Sequence, residues 1–309
     1  MIALAVQLLT VREGAILLID EIEHGLEPHR LRHLLRMLSA GPSGGPDHTG
    51  QVLFTTHSPT PIVELGARAI HVVRTDNGET RVHRASGRLQ ATLRRTPEAL
   101  LCRRVIVCEG KTELGLCRAA EQSLWPVEHG GTPLSHVGTS LALGQGTTGP
   151  RVASNLASLG FPTALFGDSD VPLDPSVPQL EAAGVRVILW SEASATEDRL
   201  AKDLPLEALG ALLNIAAAFK STDSVTNGFS SKLGKPMPSN LDIHTWIGPD
   251  VTEAQLRSAF AEAAKSGEWF KRIDVAQAVG VVVIEYIDAI QGSDLEQKVR
   301  ALGSWAYGE

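Results

Sequence analysis

Two short acidic runs in this sequence have the residue types and spacing for chemistry on an anionic substrate. Glu109 closes the apolar run Arg104-Val-Ile-Val-Cys108 and is followed by Gly110; further on, Asp168-Ser-Asp170 follows a second apolar run, Thr163-Ala-Leu-Phe166. Each run reads as a buried strand, and Gly110 lets the backbone turn tightly into a following helix. In a parallel sheet all strands end on one edge, where open α/β folds place their ligands, so these acids converge there. Three carboxylates in close quarters repel one another unless a divalent cation neutralises them. Oxygen-only donors of this hardness suit Mg²⁺ or Mn²⁺ rather than zinc.

The elements that must position these acids follow from alternation along the chain. A helix over Thr112 to Gln122, a strand over Leu134 to Val137 and a helix over Val152 to Leu159 surround the first two runs. A helix over Pro178 to Ala183, a strand over Val185 to Trp190 and a helix over Thr196 to Leu204 follow the second. Four strands alternating with helices predict a parallel, Rossmann-like sheet with helices on its faces. Gly144-Gln-Gly-Thr-Thr-Gly149 matches G-x-G-x-x-G, yet no acidic ribose-binding residue lies where a dinucleotide fold requires it, so it reads as a loop at the active edge. Beyond Pro205 the strand signal stops. Segments such as Thr252 to Lys265, capped by Thr252 and ended by Gly267, and Asp274 to Ile290 predict a mainly helical appendage, with Trp190, Trp246 and Trp269 in the core.

Nearer the N-terminus, Ala15-Ile-Leu-Leu-Ile19 reads as a strand buried on both faces that ends in Asp20-Glu21. A helix starts at Pro28, a glycine and proline loop spans Gly41 to Gly50, and a second strand, Gln51 to Thr56, ends at His57-Ser-Pro59. Leu17-Leu-Ile-Asp-Glu21 resembles a Walker B strand, whose aspartate holds Mg²⁺ and whose glutamate orients the attacking water. His57 matches the switch histidine of ABC-type ATPases. Together with the Glu23-His-Gly-Leu-Glu-Pro28 turn these residues resemble the C-terminal half of such a head, although Glu27 stands where related sequences carry histidine. Asp20, Glu21 and His57 are the nucleotide-binding residues this resemblance implies. A phosphate-cradling G-x-x-x-x-G-K-[ST] loop is missing, since the Gly110-Lys-Thr112 tripeptide has Val105 where the first glycine belongs; Ser43-Gly-Gly45 resembles an ABC signature fragment but follows the acidic pair instead of preceding it. The expectation is that the phosphate loop and the first half of the head lie upstream of Met1, and that ATP binds only if that half is supplied.

Composition bounds the rest. The 309 residues are 43% hydrophobic, which excludes disordered and fibrous classes. No apolar stretch reaches the ~20 residues needed to cross a bilayer, and Met1 to Val6 lacks the basic start of a signal peptide, so a cytoplasmic location is expected. Cys102, Cys108 and Cys117 have neither disulfide-ladder nor metal-knuckle spacing and read as reduced thiols. The net charge of −7 is uneven: residues 81–104 hold Arg81, Arg84, Arg88, Arg94, Arg95, Arg103 and Arg104 against Glu98 alone, so this segment carries +6. It suits contact with backbone phosphates, or equally a solvated basic linker.

E-G-x-[TS]-E on one strand and D-x-D on a later one, in a four-strand αβ unit, resemble the TOPRIM domain. The order of ATPase-like head, TOPRIM and helical tail resembles the OLD (overcoming lysogenization defect) family of ATP-dependent endonucleases. The resemblance implies an incomplete ABC-type head over residues 1–90, a basic linker over 91–104, a TOPRIM nuclease over 105–209 and a helical region over 210–309. It also implies two metal ions about 3.5–4 Å apart that hydrolyse DNA phosphodiesters. Glu109, Glu113, Asp168, Asp170 and Glu197 match the family's metal ligands, with Ser169 an additional contact, and Lys271 is the lysine expected to stabilise the scissile phosphate. DNA, a second copy of the chain and a helicase or other phage-defence protein are the partners it implies. Two other readings stand beside it. TOPRIM domains also serve topoisomerases and primases, but the former need a tyrosine nucleophile and the sequence has only Tyr286 and Tyr307, both in the tail. Alternatively the chain is a non-catalytic dimerisation or docking module, since half an ATPase sheet leaves an exposed apolar edge.

Overall fold

The computed structural model describes residues 16–40, 51–76, 78–238 and 240–309. The opening Met1 to Val6, residue Ala15, and the Gly41 to Gly50 loop with its Ser43-Gly-Gly45 fragment lie outside the described residues. The chain divides into two compact units, Met1–Leu101 and Cys102–Glu309.

In the first unit, β1 (Ile16–Ile19) pairs in parallel with β2 (Gln51–Phe54), and α1 (Pro28–Ala40) connects them in sequence. Leu31, Leu34 and Leu35 recur at helical spacing and bury one face of α1 with Ile22, against Ile19 and Phe54. The expectation that the first strand is buried on both faces is corrected: Ile16, Leu18 and Leu53 are 61%, 72% and 56% exposed, because among the described residues helix packing covers one side only. Then come α2 (Pro59–Glu64), capped by the Ser58 hydroxyl, and a hairpin of β3 (His71–Asp76) and β4 (Glu79–Arg84) with Gly78 at positive φ. The hairpin was not expected, although Asn77-Gly78 is a strong hairpin signal. Helix α3 (Gln90–Arg95) and a 3₁₀ turn over Pro97–Leu101 occupy the segment expected to be linker.

The second unit is built on a four-strand sheet, all parallel, in the order β6 (Thr139–Leu143), β5 (Arg104–Cys108), β7 (Thr163–Gly167), β8 (Val185–Leu189). The central strands are buried, as their unbroken apolar runs require. Helix α4 (Lys111–Glu128) follows β5. Leu134–Val137, expected as a strand, is the one-turn helix α5: Pro133 opens it, Gly138 closes it at positive φ, and the strand begins only at Thr139. Helices α6 (Gly149–Ser158), α7 (Val177–Ala182) and α8 (Thr196–Asp203) alternate with the strands.

The remaining helices are α9 (Leu206–Lys220), α10 (Thr222–Leu233), α11 (Ile243–Trp246), α12 (Glu253–Ser266), α13 (Ile273–Glu285) and α14 (Asp294–Tyr307). They share one core with the sheet. Trp125 donates its indole N–H to the Val299 carbonyl at 3.0 Å, and the Thr139 hydroxyl donates to the Ala306 carbonyl at 2.6 Å, which ties α14 to α4 and β6. Helices α4 and α13 cross closely. A Cβ on Gly115 would lie 2.2 Å from the Ala276 carbonyl carbon, and one on Gly280 would lie 2.8 Å from Ala119 Cβ. Trp190, Trp246 and Trp269 are all buried, as are Cys108 and Cys117.

Candidate functional site

Glu109 lies just past β5 and Asp168 just past β7, at the carboxyl edge of the sheet, where the neighbouring strands also deliver their loops. The Asp168 N–H donates to Glu109 Oε2 at 3.1 Å, which fixes the two acids side by side. Gly167 makes this approach sterically feasible, since a Cβ there would sit 2.3 Å from Glu109 Oε2. The glycine-rich loop after β6 folds over the same backbone, with the Gly146 N–H donating to the Glu109 carbonyl at 2.7 Å. The G-x-G-x-x-G stretch is thus an edge loop.

Glu113 sits in the first turn of α4 and is 2% exposed. One of its oxygens accepts the Gly110 N–H at 2.7 Å, and the other accepts from the Thr196 hydroxyl. Thr196 begins α8 and joins the two acidic strands: its N–H donates to Asp168 Oδ1 at 2.8 Å, and its hydroxyl oxygen accepts the Trp190 indole N–H at 2.7 Å. Glu197, next in sequence, is 1% exposed, and Lys271 Nζ lies 3.2 Å from its Oε1. That contact is an ion pair without an aligned hydrogen bond, so Glu197 Oε1 has no directed donor. Lys271 reaches the edge from the turn before α13, which the close α4–α13 crossing holds in place. Asp198 accepts the Ala195 N–H and the Lys265 ammonium, both at 2.9 Å.

The electrostatics follow from this crowding. Burial, then Asp168 and Asp170, push the Glu109 carboxyl up to about 7. Burial, then Glu113 and Glu197, push Asp168 to about 7 as well. Burial also raises Glu113, against the hydrogen bond from Thr196. Lys271 is partly buried, which favours its neutral form, yet Glu197, Glu113 and Asp168 more than reverse this and hold it charged. The structure therefore gathers Glu109, Glu113, Asp168, Asp170, Glu197 and Lys271 into one interacting group. Among the described residues, however, no three acidic, histidine or cysteine side chains are grouped closely enough to hold a metal ion as they stand. Glu113 and Glu197 are turned toward Thr196 and Lys271 instead. Sequence reasoning missed Thr196, Gly167, Asp198 and Lys265; the glycine immediately before Asp168-Ser-Asp170 is the one signal that could have been read.

In the first unit Asp20 and Glu21 follow β1, and His57 follows β2. The Thr55 hydroxyl donates to Asp20 Oδ1 at 2.5 Å, and the Glu21 N–H donates to the same hydroxyl at 2.8 Å. Glu23 accepts the His57 N–H at 2.5 Å and the Thr56 hydroxyl at 2.7 Å; these donors outweigh its partial burial and hold its carboxyl below the usual range. The acidic pair and the histidine thus end adjacent parallel strands, laced together by threonine hydroxyls. Residues 1–61 are similar to the family described as "AAA domain, putative AbiEii toxin, Type IV TA system". This segment is ATPase-like. The match spans about a fifth of the chain and points to a nucleotide-related function. A comparison with curated proteins found no match. No helix among the described residues is long and apolar enough to cross a membrane.

The arginine-rich stretch is divided between the two units. Arg81 pairs with Glu79 at 2.9 Å in the first unit, whereas Arg104 lies over the Trp305 ring, 5.8 Å from its centroid, in the second. Tyr307 is engaged structurally, its hydroxyl donating to the Thr132 carbonyl at 2.5 Å and its ring stacked on His129.

Proposed function

We propose that the second unit is a divalent-metal-dependent phosphodiester hydrolase of the TOPRIM kind, acting on DNA, attached to an ATPase-like segment as in the OLD family. One observation carries the reading: Glu109 and Asp168, fixed side by side at the sheet edge, are both pushed to about 7 by burial and by acids around them. A cluster that strains to keep its negative charge is one that a hard divalent cation stabilises. Glu109, Asp168 and Asp170 would hold Mg²⁺ or Mn²⁺, with Glu113 and Glu197 behind them; a bound ion supplies an activated water and neutralises phosphate charge. The chain's own residues do the rest. Thr196 orients Asp168, Glu113 fixes the turn at Gly110, and Lys271 brings a positive charge to the edge where a scissile phosphate would lie. Tyr307, one of the two tyrosines, is engaged by the Thr132 carbonyl and the His129 ring, which weighs against its serving as the nucleophile of a topoisomerase-type reaction.

Supercoiled plasmid incubated with the full chain tests this. Nicking is expected with Mn²⁺ and none with EDTA, and Glu109→Gln is expected to abolish it. Nicking that persists in EDTA, or in the variant, refutes the proposal.

A further inference from the structure

We infer that Arg68, Arg84 and Arg88 form a phosphate-reading site for a nucleic-acid backbone in the first unit, separate in sequence and fold from the carboxylate edge. These arginines line a surface basin of about 680 Å³ together with Ala85, Ser86 and Gly87. The fold creates the group. Arg68 lies in the 3₁₀ turn before β3, Arg84 ends β4 and Arg88 lies in the 3₁₀ turn after it, so closing the hairpin brings the two turns together. The Ala85 N–H donates to the Ile70 carbonyl at 3.0 Å, and a Cβ on Gly87 would sit 3.6 Å from Arg68 Nε.

Among the described residues the basin has no acid in its lining, and none of the three guanidiniums is ion-paired to a described carboxylate, in contrast to Arg81. Three like charges around one basin, in a chain of net charge −7, repel until an anion joins them. Arginine forks suit phosphate oxygens. Among the described residues the lining also has no aromatic ring to stack a base and no carboxylate to bind a ribose, so what it offers is phosphate contact. All three arginines are exposed, which gives an open seat for a strand passing over the surface. This inference rests on the DNA reading above and names residues of the first unit that would hold that DNA.

The test is fluorescence anisotropy of a fluorescein-labelled 20-base-pair duplex with the full chain in EDTA, over a range of KCl concentrations. Arg84→Ala/Arg88→Ala is expected to weaken binding at least about tenfold and to lower the slope of log affinity against log salt by about 2. Arg30→Ala/Arg186→Ala, which removes the same charge from exposed positions elsewhere, is expected to bind as the parent does. Unchanged affinity and slope in the basin variant, with the parent binding DNA and nicking plasmid, overturns the basin and leaves the nuclease reading intact. Displacement of the duplex by ATP at matched phosphate concentration assigns the basin to free nucleotides and also overturns it. A parent that neither binds nor cuts DNA overturns the nuclease reading and this inference with it.

Discussion

Replacing Asp168 by asparagine removes one negative charge from the crowded edge while keeping the Oδ1 that accepts from the Thr196 N–H at 2.8 Å and hydroxyl at 3.0 Å. In the folded chain Asp168 titrates at about 7 against an ordinary 3.8. Between those values the folded state binds a proton that the unfolded state has lost, so the Asp168 contribution to stability is fully present below 3.8 and is lost as pH rises to about 7. At about 1.4 kcal/mol per decade the full gap corresponds to about 4 kcal/mol. Asp168 is only partly buried and interacts with the neighbouring Glu113 and Glu197, so screening and that interaction reduce this to about 2 kcal/mol. At pH 8 in EDTA, Asp168→Asn is therefore expected to be more stable than wild type by that amount. For a unit of this size the shift in melting temperature is roughly 4–8 °C. At pH 4, where the wild-type carboxyl is protonated, the two proteins should melt together. Differential scanning calorimetry across this range is the assay. A variant less stable than wild type at pH 8, or a difference independent of pH, refutes the electrostatic account.

Other perturbations probe the supports of the same edge. Gly167→Ala places a Cβ 2.3 Å from Glu109 Oε2 and 2.7 Å from its Cβ; it should cost about 1–3 kcal/mol in urea unfolding and depress plasmid nicking by displacing Glu109. Gly115→Val drives a side chain into the Ala276 backbone at the α4–α13 crossing and should cost about 3 kcal/mol, read as a lower denaturation midpoint. Lys271→Met leaves the buried Glu197 without its cation. Because Lys271 is 40% exposed, the expected loss is about 2 kcal/mol at pH 8, and adding Glu197→Gln should recover most of it in a double-mutant cycle.

The parts of the fold written in single strands and strand ends were legible. The runs ending at Cys108 and Phe166 are apolar throughout because both faces are buried, and the acids that follow them stand at the sheet edge as a parallel sheet demands. Leu134–Val137 misled because a few apolar residues between a proline and a glycine fit one helical turn as well as a short strand. The strand ending at Asp20 misled for the opposite reason: its residues are as apolar as those of a buried strand, but burial depends on what packs on the second face. What could not be read were relations between distant segments. Thr196 looks like an ordinary helix start, and only the approach of α8 to β7 and α4 makes its hydroxyl a bridge between Asp168 and Glu113. Lys271 was one lysine among several until the glycines of α4 and α13 brought its turn to Glu197. Arg68 lies outside the arginine-rich stretch, and hairpin closure puts it with Arg84 and Arg88 while Arg103 and Arg104 go to the other unit.

The proposed activity is hydrolysis of phosphodiesters at the Glu109 and Asp168 edge with a divalent ion. The most direct test is the initial rate of plasmid nicking by Asp168→Asn beside wild type, at pH 8 in Mn²⁺. A loss of at least about a hundredfold is expected in a variant whose melting temperature in EDTA is higher than that of wild type, so that misfolding cannot explain the loss. Nicking by the stabilised variant at the wild-type rate would contradict it.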